Sequence, residues 1–133
     1  MASIQKDICL AAPAAAVWEA VRDFGAVHTR LAPGFVTDTT LDGDVRIVTF
    51  VNGSVVREKL VDCDDARRRL VYTIDSERMT HHSASIQIIP EGETSCRMIW
   101  ITDVLPNEIA PYIAGQMELG AAAVRETMSK LGT

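Results

Sequence analysis

Two periodicities divide the chain. Between Pro106 and Leu131, apolar side chains return at Ile109, Ile113, Met117, Ala121, Val124, Met128 and Leu131, the spacing of one continuous helical stripe. Pro106 takes a first-turn position, where its missing N–H has no intrahelical partner. Gly132 follows the last apolar residue as a stop. The middle of the stripe is small, with Gly115, Gly120 and Ala121-Ala122-Ala123. Small residues there either let another backbone approach or leave a void in front of the helix.

From Phe35 to Val104 the period is two, and turn signals arrive at regular intervals. A strand ending near Leu41 is followed by strands over Val45–Val51, Ser54–Cys63, Leu70–Ile74, His82–Ile89 and Ser95–Val104. Asn52-Gly53 predicts a two-residue hairpin turn with positive φ at both positions. Ahead of these lie a short strand over Ile4–Ala11 and an amphipathic helix from Pro13 carrying Val17, Trp18, Val21 and Phe24. A second short helix over Ala26–Leu31 is stopped by Pro33-Gly34. Short links make most of the seven strands antiparallel. The pattern predicts one α+β domain over residues 1–133: a seven-stranded antiparallel sheet curved around a long C-terminal helix, with two short helices after the first strand.

Alternation assigns the strand faces. The inward set is Val56, Glu58 and Leu60 in one strand, and Leu70, Tyr72 and Ile74 in the next. In the last two strands it is His82, Ala84, Ile86 and Ile88, then Cys96, Met98, Trp100 and Thr102. A turn centred on Gly92 pairs Trp100 with Ala84 and Thr102 with His82. From the helix, Met117, Ala121 and Val124 face Trp100, Met98 and Tyr72. The predicted interior is a mostly apolar wall carrying three titratable groups, Glu58, Tyr72 and His82, as a small-molecule pocket requires. Desolvation there raises the pKa of a carboxylate and lowers that of an imidazole.

The totals narrow the function. A formal net charge of -5 and no basic patch exclude a nucleic-acid footprint. The N-terminus lacks the apolar core of a signal peptide, and no apolar run reaches membrane-span length, so a cytoplasmic protein without membrane insertion is expected. Cys9, Cys63 and Cys96 have no metal-type spacing and read as free, mostly buried thiols. His81 and His82 are adjacent on a strand and point to opposite faces, so they cannot share a metal. No metal and no cofactor are implied.

Several residue groups carry a resemblance. Ala12-Pro13 followed by Val17-Trp18 and Asp23-Phe24-Gly25, then Glu58-Lys59-Leu60 followed by Asp64-Asp65, and Trp100 ahead of the closing helix resemble the polyketide cyclase/dehydrase and lipid transport family. That family belongs to the START-like superfamily (SRPBCC) with the birch-pollen-allergen fold. The resemblance spans essentially the whole chain. It implies a helix-grip with an internal cavity between sheet and C-terminal helix. Plant abscisic acid receptors share this fold. Their longer gate loop and His-Arg-Leu latch are replaced here by Val51-Asn52-Gly53-Ser54 and Glu77-Arg78-Met79, which speaks against a hormone receptor.

Three functions follow as expectations. The first is binding of a small hydrophobic or aromatic ligand, with Val56, Glu58, Leu60, Tyr72, Ile74, His82, Ala84, Met98, Trp100, Met117, Ala121 and Val124 around it. The second is a cyclase or dehydratase, with Glu58 or His82 as the base that removes a C–H proton and Tyr72 as a donor to the enolate. The residues leave open whether the protein is an enzyme. The third is partner binding with a collapsed cavity. A homodimer formed through a sheet edge or helix is compatible with the sequence.

Overall fold

A computed structural model describes residues 2–131. Strand β1 (Ala2–Leu10) leads into helix α1 (Ala14–Arg22) and a π-helical turn over Val27–Leu31. Six further strands follow: β2 (Val36–Asp42), β3 (Val45–Phe50), β4 (Val55–Asp64), β5 (Arg69–Ile74), β6 (His81–Pro90) and β7 (Cys96–Leu105). Helix α2 (Ala110–Leu131) closes the chain. The strands form one sheet of 7 in the order β1-β7-β6-β5-β4-β3-β2. Each neighbouring pair is antiparallel. Only β1 is placed out of sequence, beside β7, and β1 and β2 are the two free edges, so the sheet is open and not a barrel. The architecture is the helix-grip.

The predicted helix starts later than the sequence suggests. Pro106 is extended (φ -74, ψ 162), follows a cis peptide bond and precedes a 3-10 turn over Asn107–Ile109. Pro111 takes the first-turn position, where its missing N–H goes unmissed. Along α2 the residues that face inward are Met117, Gly120, Ala121, Val124 and Met128, whereas Leu131 is exposed. Gly132, expected as the stop, lies outside the described residues. The second short helix is the single π-helical turn. Of the cysteines only Cys96 is buried, and Cys9 and Cys63 are exposed, so the expectation of mostly buried thiols fails.

Two turns differ from expectation. Between β3 and β4 the backbone closes from Phe50 to Ser54, spanning Val51-Asn52-Gly53. Gly53 has φ 89, and Asn52 is not among the positive-φ residues. The loop therefore has three residues with glycine at the left-handed position, not a two-residue turn. Between β6 and β7 the ladder pairs Pro90 with Cys96, Ile86 with Trp100 and Ala84 with Thr102. The register is thus two residues from the one predicted by a turn centred on Gly92. A shift of two leaves every side chain on its predicted face.

One end of the interior is densely filled. Ile8 of β1, Val17 and Val21 of α1, Ile88 of β6, Met98 of β7 and Met128 of α2 are all essentially inaccessible to solvent. They bring β1, α1 and the C-terminal half of α2 together over the β6–β7 side of the sheet.

Candidate functional site

The other end of the interior is not filled. A cavity of about 260 Å³ lies between the inward face of β3–β7 and α2, just below the ~300–1,000 Å³ typical of ligand pockets. Val48, Val56, Ile86 and Met98 supply apolar wall from the sheet, and Ile113, Met117 and Val124 from the helix. Val27, Leu31 and Phe35 close the end beside the π-helical turn. Lining residues that reach solvent are Val55, Arg78 and Tyr112. The cavity therefore opens between the β3–β4 turn, the β5–β6 connection and the start of α2. There the Arg78 guanidinium lies 5.5 Å from the centre of the Tyr112 ring.

The buried charged groups on the wall are an ion pair that the sequence reading supplied only in half. Glu58 faces inward, and Arg46, directly opposite it on β3, donates from Nε to Glu58 Oε1 at 2.7 Å. Only 4% and 8% of the two side chains remain accessible. Such a pair is tolerated when desolvation is offset by good geometry and further contacts. The guanidinium supplies both. It stacks between the rings of Phe24 at 4.1 Å and Tyr72 at 4.9 Å, and Nη1 donates to the Phe24 carbonyl at 3.5 Å. The three-residue β3–β4 loop is the cause. A two-residue turn at Asn52-Gly53 would have set Ile47 opposite Glu58.

His82 sits where the β5–β6 ladder opens. Beyond the Tyr72–Ala84 pair, the backbone N–H of Ile74 donates to His82 Nδ1 at 3.0 Å, and the Thr73 hydroxyl donates to the His82 carbonyl at 2.5 Å. With Nδ1 accepting, the neutral ring carries its proton on Nε2. Burial, and then the neighbouring His81, push its pKa down from 6.5 to about 4. The Tyr72 ring lies 5.9 Å away. Burial, reinforced by the Glu58 carboxylate, pushes the Tyr72 phenol well above its ordinary range, so it remains a protonated donor. The indole N–H of Trp100 stands beside the Tyr72 oxygen without closing a hydrogen bond of normal geometry.

The family described as polyketide cyclase / dehydrase and lipid transport matches residues 1–131. The chain belongs to this family. Among solved structures, a solution NMR structure from Thermobifida fusca is 32% identical at TM-score 0.80, covering 98% of this chain and 95% of that one. An uncharacterized protein from Bacillus thuringiensis superposes at TM-score 0.84 with 18% identity, covering 96% and 98%. A norcoclaurine synthase from Thalictrum flavum superposes at TM-score 0.72 with 22% identity, covering 99% and 96%. At that identity the last two show a shared fold. Among curated proteins compared by sequence, none matches.

Measured against this polyketide cyclase family fold, the predicted site residues separate into two groups. Val56, Glu58, Tyr72, Ile74, His82, Met98, Trp100, Met117 and Val124 line the cavity, whereas Leu60, Ala84 and Ala121 do not. Ala84 and Ala121 are buried against neighbouring side chains, and their short side chains stop below the wall. Leu60 lies beyond Glu58 along β4, away from the mouth. The small helix centre also acts differently from expectation. A Cβ at Gly120 would stand 3.2 Å from both Trp100 and Phe35. This glycine admits two aromatic side chains, and the open space lies mainly before Tyr112 to Met117. Sequence reasoning missed Arg46, Phe35 and the π-helical turn as wall. A signal for Arg46 existed: an inward Glu58 demands a countercharge, and Arg46 is the one basic residue on β3. Among the described residues no His, Cys, Asp and Glu cluster could hold a metal ion, and no helix is long and apolar enough to cross a membrane.

Proposed function

We propose that this protein binds a small hydrophobic molecule of one or two rings in the cavity between its sheet and α2. The observation that carries this reading is the cavity itself: about 260 Å³ of mostly apolar space in an interior otherwise packed tight, with an opening to solvent. A collapsed interior devoted to partner binding would have no such space. The polar groups also suit holding a ligand better than abstracting a proton. Glu58 Oε1 is already engaged by Arg46 in a buried ion pair. His82 has its basic nitrogen occupied by the Ile74 N–H. The family description, which includes lipid transport, supports the same class of ligand.

Native mass spectrometry of freshly purified protein tests the reading directly, since a co-purifying molecule appears as an added mass. Val124→Phe provides the control. It projects a larger side chain from the helix wall, and it should abolish the adduct and any ligand-induced rise in Tm. If the space is real the fold tolerates the ring. A loss of about 1–3 kcal/mol with no change in ligand uptake would mark an overpacked core instead.

A further inference from the structure

Resting on the binding reading above, we infer that residues 75–80 form a strap across the cavity mouth, that His82 is its clasp, and that a proton on the ring opens it and releases the ligand. The geometry is that of a hinged segment. The β5–β6 ladder stops at Tyr72–Ala84. Beyond it Ser76, Arg78 and Met79 line the cavity beside its opening. The segment is bonded within itself, from the Met79 amide to the Ser76 carbonyl at 3.2 Å and from the Arg78 amide to Ser76 Oγ at 3.2 Å, so it moves as one piece. Its far end is tied by the Thr80 amide to the Leu105 carbonyl at 2.8 Å. Its near end depends on His82, which receives the Ile74 amide on Nδ1 and the Thr73 hydroxyl on its carbonyl. The Thr73 bond reaches backbone, does not titrate and serves as the pivot. The Ile74 bond requires a lone pair on a ring that loses it in acid.

A protonated imidazole donates from both nitrogens, so two N–H groups would face each other across the clasp and the ring must turn away. The groups around it do not hold that proton in place. Tyr72 of β5 lies 5.9 Å from the ring. Glu58 of β4, the anion on this wall, is bound to Arg46 of β3. Arg78 of the strap is a cation, Tyr112 comes from α2, and β7 contributes only Met98, Trp100 and Thr102. Asp75, Glu77, His81 and Glu108 are exposed. In the closed form burial, and then His81, lower the ring's pKa to about 4. With the strap lifted the ring meets water and regains its ordinary 6.5. The closed form is therefore fully favoured above that window and loses ground as pH falls through it.

The probe for this is 2-fluoronaphthalene, a two-ring molecule with no group that titrates. Its dissociation rate from the full chain is read by fluorine exchange NMR, with near-UV circular dichroism as the check on fold. The rate should rise about twentyfold between about pH 7 and about pH 5, the change that a pKa of about 4 closed and 6.5 open imposes on the opening equilibrium. His82→Asn keeps an acceptor for Ile74 and gives up titration, so its rate should be slow and flat across the range. His82→Phe keeps a ring and gives up the acceptor, so its rate should be fast and flat. A wild-type rate that ignores pH, a His82→Asn rate as steep as wild type, or a His82→Phe rate as slow as neutral wild type each overturns the clasp while leaving the cavity reading intact. A rise that coincides with loss of the near-UV signal is unfolding and also counts against it. If the probe does not bind at neutral pH, the cavity reading fails and the inference falls with it.

Discussion

Ile86 and Ile88 stand two residues apart on β6, on the same face of the same sheet, and belong to different interiors. Ile88 lies in the sealed end, with Ile8, Val17, Val21 and Met128. Ile86 borders the cavity. The sealed end is almost entirely aliphatic. The open end collects an ion pair, a phenol, an imidazole and an indole N–H. The division can be followed along α2, where Met128 completes the core and Ile113, Met117 and Val124 border the cavity. Stability and chemistry are thus assigned to different ends of one interior.

The comparison can be broken at the ion pair first. Arg46→Ala strands Glu58 as a buried uncompensated charge and should cost about 3–5 kcal/mol in urea denaturation. The double replacement Arg46→Met with Glu58→Leu should recover most of that loss, because apolar groups of similar volume suit the same wall. A double variant no better than the single would mean that the pair holds the open end together.

The next test uses the two isoleucines. Ile88→Ala should cost about 2–5 kcal/mol, the transfer loss plus an unfilled hole. Ile86→Ala should cost distinctly less, since it enlarges a space that already exists. Equal losses would erase the distinction between the two ends.

A pH titration of stability gives the smallest of these effects. His82 in the native state holds its proton only below about 4, against 6.5 as its ordinary value. As pH falls from 6.5 toward 4 the unfolded chain takes up a proton that the native ring refuses, so stability declines through that window and is fully present above it. The contribution is up to about 3 kcal/mol. His82→Asn, whose side-chain oxygen can still accept from Ile74, should flatten the slope over that range. A slope unchanged in the variant would assign it to other groups.

Much of this division could be read from residue order, and the part that could not has a local cause in each case. The stripe on α2 and the alternation in β4 to β7 place the helix, the strands and their facing, because burial on one face enforces a period. Facing survived even where register did not: the β6–β7 loop is longer than a turn at Gly92 implies, and the shift was even. At Asn52-Gly53 the shift was odd, and it hid Arg46, since loop length is set by the backbone angles of two or three residues and not by any periodic signal. The cavity was legible only as an apolar face. Whether such a face packs or stands open depends on the distance between α2 and the sheet. Phe35, which no pattern placed, and Trp100, which alternation did, both meet Gly120 and help set that distance.

The bond from the Ile74 amide to His82 has a consequence for measurement. Elsewhere in the strand an amide hydrogen is guarded by a neighbouring carbonyl, which does not titrate over the working range of a protein. This one is guarded by an imidazole nitrogen. Once that nitrogen takes a proton it has no lone pair to offer, and the amide is released to solvent. The exchange rate of a single backbone hydrogen at Ile74 therefore reports the protonation of the cavity wall, with no label and no ligand.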